Sequence, residues 1–136
     1  MDTSEQYIKM CEKAEEIQAS RKFECGDCMV TGDNLIMIRR LSDEGDYFLA
    51  SLLPRGHNFL LISNKNVIWL PRQDQLQEMV IDADYAMSYL TRIMDWAGIT
   101  LAKYLLQFTS MEQLWLAFVM KEKYGKVWDG EKWTSC

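Results

Sequence analysis

The stretch CMVTGDNLIMIRRLSDEGDYFLASLLPRGHNFLLISNKNVIWL, residues 28–70, decides the fold. It is rich in β-branched and aromatic residues. Turn-forming clusters cut it at Gly32-Asp33-Asn34, Asp43-Glu44-Gly45, Pro54-Arg55-Gly56 and Asn64-Lys65-Asn66. The pieces between the cuts read as strands over residues 28–31, 35–40, 47–53, 59–63 and 67–70. They are short and evenly spaced, which predicts an antiparallel meander, because a parallel pair needs a crossover of about a dozen residues.

Towards the N-terminus, DTSEQYIKMCEKAEEIQAS (residues 2–20) reads as an amphipathic helix. Asp2, Thr3 or Ser4 caps its first amides, and Glu5 or Gln6 completes a capping box. Tyr7, Cys11, Ala14 and Ile17 recur at helical spacing and form the buried face; Glu12, Lys13, Glu15 and Glu16 cover the other. Towards the C-terminus, Pro71 ends the strands and opens a short helix, with Asp74 near its positive end and Leu76, Met79, Val80 and Ala83 as its apolar stripe. Its three glutamines, Gln73, Gln75 and Gln77, cannot all face the core.

Helix restarts at Asp82 or Asp84 and keeps its period through Ala86, Leu90, Ile93, Ala97, Leu101, Tyr104 and Phe108, with Gly98 as a kink or break. Thr109-Ser110-Met111-Glu112 then forms a capping box for MEQLWLAFVMKEKYG, which Gly125 ends. Residues 114–120 are apolar all round, so that helix is buried either in its own domain or by an oligomer partner. In KVWDGEKW, Asp129-Gly130 predicts a two-residue type I′ hairpin loop. That loop sets Trp128 and Trp133 on one face, diagonal to each other. The fold class is α+β: an N-terminal helix, a small antiparallel β-meander, two or three helices and a C-terminal β-hairpin. With no linker, repeat or low-complexity tract, residues 1–136 make a single domain, long enough to bury a core without metals or disulfides.

Composition excludes more than it identifies. The net charge is -5, and the longest basic clusters are Arg39-Arg40 and Lys121, Lys123 and Lys126. Phosphate binding needs a basic stripe, so direct nucleic-acid binding is disfavoured. The start of the chain lacks the basic-then-apolar pattern of a secretory leader, and the longest wholly apolar run, residues 114–120, is too short to cross a bilayer. Four scattered cysteines, Cys11, Cys25, Cys28 and Cys136, read as reduced thiols in a cytoplasm. Nine methionines and five tryptophans suit adaptable contact surfaces, though both also fill cores.

Candidate chemistry is sparse. ECGDC sets Cys25 and Cys28 in a C-x-x-C arrangement, but a zinc site lacks a second ligand pair, and a redox motif would be followed by a helix where a strand is expected. Thiols at a strand entry, with Gly26-Asp27 making the turn, are the plainer reading. A small metal-binding or thiol-redox protein is the alternative that the pair keeps open. His57, the single histidine, sits in a turn with no nucleophile placed to use it. No dinucleotide, P-loop, zincin or hydrolase motif occurs, so neither a cofactor nor an enzyme is expected. The contact candidates are Gln73, Gln77, Trp128 and Trp133, the tryptophan pair either capping the core or serving as an exposed anchor.

Three segments, MCEKAEEIQ (residues 10–18), WLPRQDQLQEM (69–79) and FTSMEQLWLAFVMKEKYGKVWDGEKW (108–133), resemble small proteins encoded by phages and prophages of Gram-positive anaerobes. The resemblance covers about half the chain and leaves out the β-rich middle. It implies an accessory protein in the cytoplasm of a bacterial host that acts by binding a host or phage protein, as an anti-CRISPR-like inhibitor of a defence system, a takeover factor or a virion assembly part does. It assigns no role to any residue. A structural homo-oligomer, with residues 114–120 in the subunit interface, is a further alternative.

Overall fold

The computed structural model describes residues 1–32, 34–43, 47–53, 59–80 and 106–135. Ser4 caps α1 (Glu5–Lys13) by accepting the Tyr7 amide, so of the three cap candidates the third is used. The expected single helix is interrupted at Ala14, and α2 (Glu15–Ala19) follows. The break leaves the Cys11 carbonyl to the Ala14 amide at 3.1 Å and to Gln18 Nε2 at 3.1 Å. Tyr7, Cys11, Ala14 and Ile17 are all buried, as their spacing predicts, and Met10 joins them.

The strands follow as β1 (Cys28–Thr31), β2 (Asn34–Leu41), β3 (Tyr47–Leu52), β4 (Phe59–Ser63) and β5 (Ile68–Leu70). All pair antiparallel, in the order β4-β3-β2-β1-β5. Four strands form the expected meander, but the fifth crosses to the far side and pairs with β1. A flat sheet would hold β4 and β5 about 19 Å apart. The link from Ser63 to Ile68 spans at most about 18 Å, and a 3-10 turn at Asn64–Asn66 shortens it, so the sheet is strongly coiled.

Register fixes the two faces. Met29, Ile36, Ile38, Phe48, Ala50 and Trp69 share the inner face and are all buried. On the other face burial is confined to the β1–β5 side, at Cys28, Val30 and Leu70, apart from Ser51 on β3. Gln18 closes the β5 edge: its amide donates to the Trp69 carbonyl and accepts the Trp69 N–H, both at 2.9 Å, imitating one rung of a ladder.

Pro71 is followed by α3 (Gln73–Val80), where Gln75 turns inward and Gln73 and Gln77 stay half-exposed. Of the helix expected from Asp82 or Asp84 through Phe108, the part up to residue 105, with Gly98, lies outside the described residues, as do His57 and Cys136; residues 106–108 are turn and irregular chain, not helix. Ser110, not Thr109, caps α4 (Met111–Tyr124), accepting the Gln113 amide. Gln113 is fully buried; its Oε1 accepts the Thr109 amide at 3.0 Å and its Nε2 donates to Asp2 at 2.8 Å. Gly125 ends the helix in the left-handed conformation. α4 packs on α1 and α3, and Trp115 to Met120 are buried within the chain itself. Burial of this stretch thus needs no subunit interface: residues 115–120 belong to the domain's own core, and Leu114 packs partly buried against it.

The hairpin pairs β6 (Lys126–Trp128) with β7 (Trp133–Ser135). Its turn is centred one residue later than Asp129-Gly130 predicts. The Asp129 amide donates to the Lys132 carbonyl at 3.0 Å, and the Asp129 carboxylate accepts the Glu131 and Lys132 amides, each at 2.8 Å. Those bonds favour the longer loop, and Trp128 stands directly opposite Trp133 instead of diagonal to it.

Candidate functional site

The C-x-x-C turn is a structural clamp. Gly26 takes φ 92°, and its amide bonds the Ile38 carbonyl at 2.8 Å, while Asp27 accepts Ile38 N–H at 2.9 Å through its backbone. The Asp27 side chain is fully buried. It accepts Arg72 Nη1 at 2.7 Å, Gln75 Nε2 at 2.9 Å and the Glu24 amide at 2.8 Å. Gln75 in turn accepts the Arg72 amide at 2.8 Å, half of a capping box. Asp27, Gln75 and Arg72 thus tie the entry of β1 to the start of α3, and sequence reasoning saw only the turn.

Cys25 is exposed and Cys28 is buried. Burial, reinforced by the Asp27 carboxylate, pushes the Cys28 thiol up. A redox or ligating thiol needs the opposite shift. Among the described residues no group of three His, Cys, Asp or Glu side chains is arranged to hold a metal ion.

The tryptophan pair faces inward. Trp128 is 3% and Trp133 9% exposed, their rings 5.1 Å apart, and Trp133 Nε1 donates to the Met10 carbonyl at 3.0 Å. The hairpin caps α1, so the exposed-anchor reading of Trp128 and Trp133 is corrected. Gln73 and Gln77 lie one turn apart on α3, each half-exposed.

A different surface stands open. On the outer face of β3 and β4, Tyr47 is 50%, Leu49 37% and Leu61 72% exposed. Leu49 pairs with Leu61 across β3–β4 and with Arg40 across β2–β3, so the three form one row. A bulge between Ile38 and Arg40 breaks the alternation of β2. It places Arg39 on this same face, where its Nε donates to Ser51 Oγ at 2.7 Å. β2, β3 and β4 contain no Asp or Glu, and no carboxylate among the described residues pairs with Arg39 or Arg40. The sequence hid this patch because Leu60-Leu61-Ile62 is apolar without alternation and does not say which side is buried.

No protein-family model, curated protein or solved structure matches the chain. Among the described residues no helix is long and apolar enough to cross a membrane.

Proposed function

We propose that this chain is a non-enzymatic phage or prophage accessory protein that binds another protein and thereby inhibits a host defence system. The observation that supports binding is the outer face of β2–β4, where Tyr47, Leu49 and Leu61 lie exposed beside two arginines on a sheet whose other surfaces are covered or polar. Exposed apolar side chains grouped with arginine are the composition of a contact surface. The phage origin and the anti-defence role rest on the resemblance of residues 10–18, 69–79 and 108–133, segments that build α1, the start of α3, α4 and the hairpin.

The test is quantitative affinity capture from lysate of a Gram-positive anaerobe, with wild-type protein and a Leu61→Lys variant side by side. Leu61 is exposed, so the substitution leaves the fold intact. The expected result is a protein retained by wild type and lost by the variant, whose defence activity the wild type then blocks. Equal capture by both proteins would contradict the surface assignment.

A further inference from the structure

We infer that the open edge of β4 takes an extended, acidic segment of the partner protein as a sixth strand, through the Leu61 backbone and under the field of Arg39 and Arg40. The inference rests on the protein-binding reading and adds the chemistry of the partner.

The phase of the ladder shows which groups are free. The Leu53 amide donates to the Leu35 carbonyl at 3.0 Å, and the Tyr47 carbonyl accepts the Ser42 amide at 3.0 Å. Odd-numbered residues of β3 therefore turn their backbone groups to β2 and even-numbered ones to β4. Phe48 and Ala50 pair with Ile62 and Leu60, so those two residues bond β3, and the N–H and C=O of Leu61 point away from the sheet. Among the described residues no hydrogen bond reaches them.

The two sheet edges differ in a telling way. At β5 the Gln18 amide occupies the outward N–H and C=O of Trp69. β4, with the sequence FLLIS, carries no charge, proline or bulge, the devices that keep strand edges from pairing. Strand addition to such an edge takes its affinity from main-chain bonds and its specificity from alternate side chains.

The charge of the partner follows from the face beside the edge. Arg39 and Arg40 are the charged residues of β2, β3 and β4, and neither has a carboxylate partner among the described residues. Guanidinium groups of this kind select carboxylates. A sixth strand lies about 14 Å from the β2 backbone. Long side chains on both sides bring the charges within a Debye length of about 8 Å. A second copy of the chain is disfavoured as occupant, because it would set like arginines and a like net charge of -5 against each other.

Selection of random linear peptides on the immobilised intact protein tests this. Enriched sequences should alternate apolar residues with Asp or Glu in excess of Lys and Arg. Leu61→Pro removes an outward N–H while sparing the bonds to β3, so it should weaken a selected peptide about tenfold or more. Should that variant unfold, Arg40→Glu decides: Arg40 is exposed and has no carboxylate partner among the described residues, and its reversal should shift selection towards basic peptides. Basic or charge-indifferent selection, or binding indifferent to both variants, overturns the inference. So does a wild-type dimer abolished by Leu61→Lys, which would name a second copy as the occupant. If Leu61→Lys abolishes lysate capture while selected peptides are not acidic, protein binding stands and this inference alone fails. If nothing is captured and nothing enriched, both fail.

Discussion

Asp27 shows how much one residue in a five-residue turn can organise. Its carboxylate is the shared acceptor of Arg72, Gln75 and the Glu24 amide, and it is fully buried. Asp27→Ala leaves the Gln75 amide and the Glu24 N–H without an acceptor inside the protein. We expect a loss of about 3 kcal/mol in denaturant unfolding. Arg72→Ala should cost only about 1 kcal/mol, because that side chain is one-third exposed and its loss leaves a smaller debt. The sequence placed Asp27 in a turn but could not reveal its partners, which lie 45 and 48 positions away. Asp2 gives the pH dependence. Burial by itself would raise its carboxyl, but hydrogen bonds from Ser110, Ser4 and Gln113 outweigh burial and hold it below the ordinary 3.8. A depressed carboxyl stabilises the fold above its unfolded value and loses that contribution as pH falls through the folded one. Thermal melts should therefore drop below about pH 4. Asp2→Asn should melt lower at neutral pH and show a flatter acid limb.

At the scale of elements, legibility followed periodicity. Strands β1 and β4 have the predicted bounds, β3 and β5 differ by one residue at one end and β2 by one residue at each end, because turn residues cut an otherwise continuous apolar run. Long-range choices were not legible. Nothing in IWL says that β5 should cross to β1, and nothing in WDGEK says that Asp129 will hold two amides and lengthen the loop. The break at Ala14 has the same character, since its reward is the reach of Gln18 to a strand 51 positions away. That contact makes a prediction. Gln18→Leu strips both hydrogen bonds from Trp69 and should cost about 2 kcal/mol in unfolding free energy. Gln18→Glu should cost as much or more, because its second oxygen would oppose the Trp69 carbonyl. Equal stability of all three proteins would show that Gln18 does not close the edge.

Across the whole molecule, the features that promised function from sequence turned out to be structural. The tryptophan pair caps α1, the apolar helix fills the core, and the cysteine pair flanks a buried clamp. Among the described residues, Met1, Leu106 and Met111 are exposed off the sheet, and Tyr47, Leu49 and Leu61 on a part of the sheet whose register, and not its composition, determines exposure. Gln73 and Gln77 stay available on α3, but they are flanked by Asp74 and Glu78 and no exposed large apolar side chain lies on that helix among the described residues. The β2–β4 face therefore carries the account of binding. Its most direct test is amide hydrogen exchange, comparing the free protein with the complex of its captured partner. The Leu61 amide should exchange freely in the free protein and become strongly protected in the complex, while the amides of Leu60 and Ile62 are protected in both. An unchanged Leu61 amide, with new protection on α3 around Gln77 instead, would contradict the account.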